Sequence, residues 1–428
     1  MQRGNKKKLA TAVAAALLGA GLILAPIGAE AHHLADAGVA MTGLVAVEGG
    51  GNHTCGLTED GGVWCWGSNA TGQLGDALVG TVRAFPRRVS NMNAVKAVSL
   101  SLGTSHSCAL TDTGDIWCWG LNLGGQVGRA NLSLVQSVPV QLDIRQNGTA
   151  VKFSSVSAGN AHTCAISTVG AAWCWGADDM GQLGRNNFSA GNSDPAPVWH
   201  YNMGTVRSIT TGGEHTCAVS TAGQAWCWGN NADGQLGVGT VPEQRKPALV
   251  AETAGFPGGG VTQLKASDFH TCAATNSGSV FCWGSNSFGR IGNPGGSSSR
   301  TPIKVQAHAA VAENAVDFKA DRISLGIEHS CAWRERDGVA WCWGRGLFGQ
   351  LGDGTYTSSV TLPRPRVKGE TVLLEPTGAI MQLSSGSNHV CTVNTGGMAF
   401  CWGMNLLGQL GETTFVNHPQ PAMVLQPV

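Results

Sequence analysis

Charge is sparse in this chain: only 13% of its 428 residues are Asp, Glu, Lys or Arg, and 27 basic residues are balanced by 27 acidic ones. Without a basic excess there is no electrostatic footprint for a phosphate backbone, which argues against a nucleic-acid partner. Amphipathic periodicity longer than a helical turn or two is missing as well, so a bundle or an α/β layer structure is excluded. Neither G-x-S-x-G nor H-E-x-x-H occurs, and no Gly-rich loop leads into Lys-Ser/Thr. Tyrosine is nearly absent, with two residues. What is present instead is glycine, 62 residues, together with 14 Cys and 14 Trp, a composition for a large, ordered, turn-rich protein.

Residues 1–31 differ chemically from the rest. Arg3 and Lys6 to Lys8 precede an apolar stretch from Leu9 to Pro26, and Ala29-Glu30-Ala31 is an A-x-A cleavage pattern. The segment reads as a secretory signal peptide rather than a membrane anchor, because its core is short and no stop-transfer charge follows. Its removal leaves 23 basic against 26 acidic residues. The expected localisation is therefore secreted, periplasmic or at the cell surface, with no membrane insertion after cleavage.

The rest of the chain is periodic. A Cys-Trp-Gly triplet begins at Cys65, Cys118, Cys174, Cys227, Cys282, Cys342 and Cys401. Upstream of each stands a second cysteine, at Cys55, Cys108, Cys164, Cys217, Cys272, Cys331 and Cys391, preceded two residues earlier by a histidine, from His53 to His389. Within a unit the segment between the cysteines forms a hairpin. With Cys55 opposite Cys65, Leu57 faces Val63 and the loop is Glu59-Asp60-Gly61, with Gly in the left-handed position such loops need. The sixth unit lengthens its loop to Glu335-Arg336-Asp337-Gly338. Counting back from the loop puts each Cys pair at a non-hydrogen-bonded site, where Cα atoms approach to about 4.5 Å. Seven cross-strand disulfides are expected in an exported chain. The competing reading, a His-x-Cys plus Cys metal site, is disfavoured by the signal peptide and by the need for seven incomplete sites, so no metal and no cofactor are expected.

After each triplet comes a tight Gly-rich loop ending in a tetrad such as Gly72-Gln73-Leu74-Gly75 or Gly289-Arg290-Ile291-Gly292. A Pro-led, largely apolar run follows, as in Pro139 to Leu142, and Pro at a strand start indicates an outer strand. Another apolar stretch leads into the next histidine. Four short strands per unit and seven units make an all-β, seven-bladed propeller. Val95 to Leu110, Thr113 to Gly120 and Asn122 to Gly128 together resemble the regulator of chromosome condensation repeat. The resemblance spans nearly the whole mature chain and implies a ring whose last blade is completed by strands from both termini, with Leu44 to Val47 placed for that closure. The expected organisation is a signal peptide at 1–31, a short linker at 32–43 and the propeller at 44–428.

Subtracting the repeat removes the obvious catalytic candidates. Seven histidines in one local context, and seven aromatic pairs such as Trp64 and Trp66, read as hydrogen bonding and blade packing, so the chain is expected to be non-enzymatic. The family's namesake is a nuclear nucleotide-exchange factor for a small GTPase that also sits on chromatin, whereas exported relatives include an inhibitor of β-lactamase. Function is better sought in segments that do not repeat. Trp199, His200 and Tyr201 are candidate binding residues, as are Arg334, Glu335 and Arg336 at the sixth hairpin tip. The Gly-rich stretches from Phe256 to Gly260 and from Asn293 to Ser299 read as flexible connections. These features point to a monomeric scaffold, adaptor or inhibitor for another exported or surface protein. A carbohydrate or cell-wall module, with a glycan as partner, is the alternative, and exchange activity a more distant one.

Overall fold

The computed structural model describes residues 38–129, 133–186, 192–199, 202–253, 255–306, 318–365 and 379–426. The expected signal segment lies outside them. Seven four-stranded antiparallel sheets succeed one another along the chain. In blade 1 the strands Leu44–Gly49, His53–Thr58, Val63–Ser68 and Val82–Arg88 are hydrogen-bonded in sequence order. Blades 2 to 7 repeat that order over 97–141, 153–197, 206–249, 261–304, 322–365 and 380–423. The one helix among the described residues is a 3₁₀ turn at Ser287–Gly289, and no helix there is long and apolar enough to cross a membrane.

Pairing follows the register expected from the loop glycine. Cys55 faces Cys65, Gly56 faces Trp64 and Leu57 faces Val63. Gly61 sits at φ +87°, a conformation open to glycine at little steric cost. All seven Cys pairs are disulfides, with Cα atoms 4.1 Å apart in blade 1 and 4.2 Å in blade 6, where the loop is one residue longer. Cross-strand closeness at the non-hydrogen-bonded site thus makes the bridge local and aligns each hairpin.

Two expectations need correction. The prolines lie inside the outer strands rather than at their starts: Pro86 falls within Val82–Arg88, where the register shifts between Cys65 and Gly67. A bulge on an edge strand tolerates a residue with no N–H, which is why the strand extends past it. Closure also differs. Leu44–Gly49 is the innermost strand of blade 1, whereas Val39–Ala40, from the stretch expected to be a linker, pairs with Leu425–Gln426. The N- and C-terminal strands therefore close the ring as a separate two-stranded sheet.

An apolar layer fills each gap between blades. Between blades 1 and 2 it holds Leu57, Val63, Leu74, Val89, Leu100 and Trp119. Phe256 joins such a layer edge-on against Phe281 and Trp283, so the stretch beginning there is anchored, not a free connection. Polar contacts then lock the blades. Successive side chains on a strand point to opposite faces. His53 accordingly turns towards blade 2 and bonds Ser107, while Thr54 turns towards blade 7 and bonds His389 at 2.9 Å. Thr54 Oγ1 donates to the carbonyl of Gln409 at 2.8 Å, and Trp66 Nε1 donates to the same oxygen at 3.0 Å. Because the hydroxyl proton is spent on the carbonyl, the histidine must be the donor from Nε2. Nδ1 then carries the lone pair, and it has no partner at any of the seven histidines.

This clamp recurs around the ring with two gaps. Blade 7 carries Val390 where its neighbours carry Ser or Thr, leaving His329 Nε2 without a partner. Trp343 Nε1, facing the Arg290 tetrad, is likewise unpaired. Nearer the axis, backbone hydrogen bonds pass from blade to blade, as from Gly51 N to Gly103 O at 3.1 Å and from Thr104 N to Gly159 O at 3.2 Å. Glycine is needed at that level: a Cβ on Gly103 would stand 2.2 Å from the Gly159 carbonyl.

Two outcomes follow from the clamp. Val390→Thr restores an acceptor for His329 and a donor for the Gln350 carbonyl, and should raise stability by about 1 kcal/mol in urea unfolding, whereas Thr54→Val should lower it by about 1–3 kcal/mol. A loss with Val390→Thr would contradict the clamp. Burial, the main cause, lowers the pKa of His53, His106, His162, His215 and His329 from 6.5 to about 3. The unfolded chain takes up these protons near pH 6.5 and the folded one does not until about pH 3. Stability should thus be flat in this respect above pH 7 and fall below 6.5, by up to about 1.4 kcal/mol per pH unit for each histidine. A urea midpoint unchanged between pH 7 and pH 5 would rule out the neutral ring.

Candidate functional site

The channel along the axis opens where the innermost strands end, beside the histidines. Its cavity is small, about 80 Å³, and is lined blade by blade with short side chains and backbone. Asp268 of blade 5 is the one charged residue in that lining. Aligning the seven blades shows why this sector differs. At the axial glycine position blade 5 has Ser267, whose hydroxyl donates to Gly326 O at 2.5 Å in place of a backbone link between blades 5 and 6. At the tetrad glutamine position blade 5 has Arg290, and the residue after the Cys-Trp-Gly triplet of blade 6 is Arg345.

These departures meet at one side of the mouth. The Arg290 guanidinium lies 5.6 Å from the ring of Phe269 and donates to the carbonyls of Ser287 at 2.9 Å and Ile327 at 3.0 Å. Arg345, paired with Glu328, stacks 4.7 Å from the ring of Phe288 and 5.6 Å from that of Phe348. Phe288 is 40% exposed and holds φ +62°, a left-handed conformation costly for a bulky L-residue. Phe269 is 42% exposed, and Leu347, two residues after Arg345, is exposed as well. Asp268 makes no hydrogen bond or ion pair among the described residues. Burial and then the nearby Glu214 carboxylate push its pKa from 3.8 up to about 6, against the pull of Arg290. Exposed aromatics braced by guanidinium groups on a rigid frame are the side-chain chemistry of protein-interface hot spots.

The residues singled out from sequence are at the opposite end of the strands, with the hairpin tips. Trp199 follows the outer strand of blade 3 and is half exposed, its amide bonded to Gly184 O at 2.9 Å. His200 and Tyr201 lie outside the described residues. Arg334 is buried against Trp341 and grips Asp337, with its Nε 2.9 Å from Oδ1. Glu335 pairs with Arg322 at 2.6 Å, and Arg336 is exposed. Trp199 in blade 3 and this tip in blade 6 are not brought together. The mouth cluster was detectable in sequence by aligning the units and reading departures, Arg290 in its tetrad above all. Also at the hairpin-tip end, a hollow of about 560 Å³ beside blade 1 is lined by half-buried Trp64 with Arg88, Glu59 and Asp60. No group of three His, Cys, Asp or Glu among the described residues could hold a metal ion.

A family model for the RCC1-like domain matches residues 24–373. The chain is 26% identical over 383 residues to the ultraviolet-B receptor UVR8 of Arabidopsis thaliana, covering 89% of this chain and 81% of that one. It is 31% identical over 293 residues to the human E3 ubiquitin-protein ligase HERC2, which is 68% of this chain but 6% of the ligase, so the chain spans a small part of that protein. Among solved structures, human WBSCR16 superposes with a TM-score of 0.75 at 20% identity, covering 86% of this chain and 95% of that one. Prp20p of Saccharomyces cerevisiae does so with 0.71 at 21% identity, covering 86% and 87%. Both are similar in fold.

Asp268 generates a stability test. With its folded pKa raised from 3.8 to about 6, the carboxyl favours the folded state below pH 3.8, and that contribution is lost as pH rises through 6. At pH 7.5 Asp268→Asn should therefore stabilise the chain by roughly 1–2 kcal/mol in urea unfolding, and at pH 4 the gain should vanish. Destabilisation at pH 7.5 would mean that the carboxylate has a partner.

Proposed function

We propose, from the premise that the chain belongs to the family of RCC1-like domains, that it is an exported, non-enzymatic scaffold that binds another protein through the channel-mouth face of blades 5 and 6. The observation carrying this reading is the coincidence of Phe269, Phe288, Arg290 and Arg345 at a sector where blades 5 and 6 depart from the repeat, with exposed Leu347 two residues beyond Arg345. A ring of repeated blades is a rigid frame, and partner-specific chemistry is free to vary only where the clamp does not need the residue. Export is supported by the character of residues 1–31 and by seven disulfides, which persist in oxidising compartments. Ligase and receptor activities belong to the longer or separate proteins that carry those names.

A second reading rests on the hollow at Trp64. Its volume is in the range of small-ligand sites, and a half-buried indole beside Arg88, Glu59 and Asp60 offers a stacking face with hydrogen-bonding groups, as a saccharide requires. The two readings put the ligand at opposite ends of the strands.

A photo-reactive residue replacing Leu347 should cross-link to a discrete protein in secreted and envelope extracts, and one replacing Val169, exposed at the hairpin-tip end, should not. Cross-links from neither position, combined with glycan binding that disappears in Trp64→Ala, would replace the scaffold reading by the saccharide one.

A further inference from the structure

The chemistry of the mouth also limits what a partner can place there. A cavity of about 80 Å³ is well below the roughly 300–1,000 Å³ typical of small-molecule sites, but it is enough for the tip of one long side chain or a few waters. Its lining is uncharged except for Asp268. That carboxylate has no partner among the described residues, and its neighbour Glu214 is spent only on the amide of Asn230, at 2.9 Å. The guanidinium groups nearby are engaged elsewhere: Arg290 with two backbone carbonyls and Arg345 with Glu328. Four carboxylates, Glu214, Asp233, Asp268 and Glu328, thus face two arginines. The remainder of the lining offers axial carbonyls such as Gly103 O and Gly159 O, each of which accepts one N–H and keeps a second lone pair.

Thr104, Asn160 and Ser387 add neutral hydroxyl and amide groups to this lining, but the cations nearby are engaged and the Asp268 carboxylate is not, so the charge left unmatched is negative and the matching side chain is a cation. We infer that the partner inserts the cationic tip of a lysine or arginine into the channel mouth, where Asp268 receives it and Phe269 and Phe288 pack against the flanking apolar chain. The inference rests on the scaffold reading and deepens it by naming the chemistry of the partner's anchor. A long aliphatic stem with a charged tip suits the arrangement, because the rim is apolar and the single charge lies inside it. The carboxylate left without a partner in the free chain is what an ion pair completed across an interface requires.

The test uses the oxidised chain and two blocked peptides, acetyl-Leu-Arg-Leu-amide and its citrulline counterpart, which keeps shape and loses charge. Binding is followed by calorimetry and by the NMR signals of Asp268 and Phe269. The arginine peptide should bind saturably and at least tenfold more tightly than the citrulline peptide. Asp268→Asn should abolish that difference without lowering the melting temperature. Equal binding of the two peptides, an arginine preference that survives Asp268→Asn, or displacement by potassium chloride beyond that by choline chloride at the same ionic strength would each overturn the inference, the last by making this a small-ion site. If the arginine preference fails while Leu347 cross-linking persists, the scaffold stands and the cationic anchor falls. If cross-linking fails as well, both fall.

Discussion

One hydrogen-bonded junction sets the rest of the structure: the histidine of one blade donating to a hydroxyl of the next, the hydroxyl donating to a tetrad carbonyl, and a tryptophan N–H closing on that same oxygen. Each bond contributes on the order of 1 kcal/mol, but leaving any of these buried groups unpaired costs more, so the junction enforces geometry as much as it stabilises. It works only if the strand beginning at His53 is in register with the strand ending at Ser68. The Cys55–Cys65 bridge holds that register a short distance away. His-x-Cys and Cys-Trp are thus two halves of one device, with alternate residues reaching to alternate neighbours.

The same logic explains where variation is tolerated. Near the axis a Cβ would strike the next blade's carbonyl, so a change there has to be compensated, as Ser267 is by its own bond to Gly326. Blade 5 makes that link through Ser267, and the carboxylate of the next residue, Asp268, has no partner among the described residues. Arg290 keeps the tetrad carbonyl, which still accepts from Ser330, but its side chain turns to Phe269 and the mouth. The price is visible in an unpaired Trp343 N–H, a strained Phe288 and a carboxylate that burial makes less acidic. Departures that cost stability and gather at one rim are the ground on which this sector is the candidate site.

The period, the hairpin register, the loop glycines, the disulfide pairing and the four-stranded unit were all legible in the sequence, because each depends on contacts between residues near in the chain. Spacing along a strand reports the faces of that strand, and ten residues around a Gly turn admit one pairing. The neutral state of the histidines and the true closing strand, Val39–Ala40, were not legible, since both depend on what a neighbouring blade presents. The site was the least readable part. Trp199 and Arg334 stand out as local departures from their surroundings, but tertiary packing turned Arg334 inward onto Asp337 and Trp341. It also gathered Asp268, Phe269, Phe288, Arg290 and Arg345, scattered over nearly eighty residues, around one opening. Local pairing energies act within a unit and can be read from it, whereas a site at the junction of blades exists only once the ring has closed and brought distant segments to the same axis.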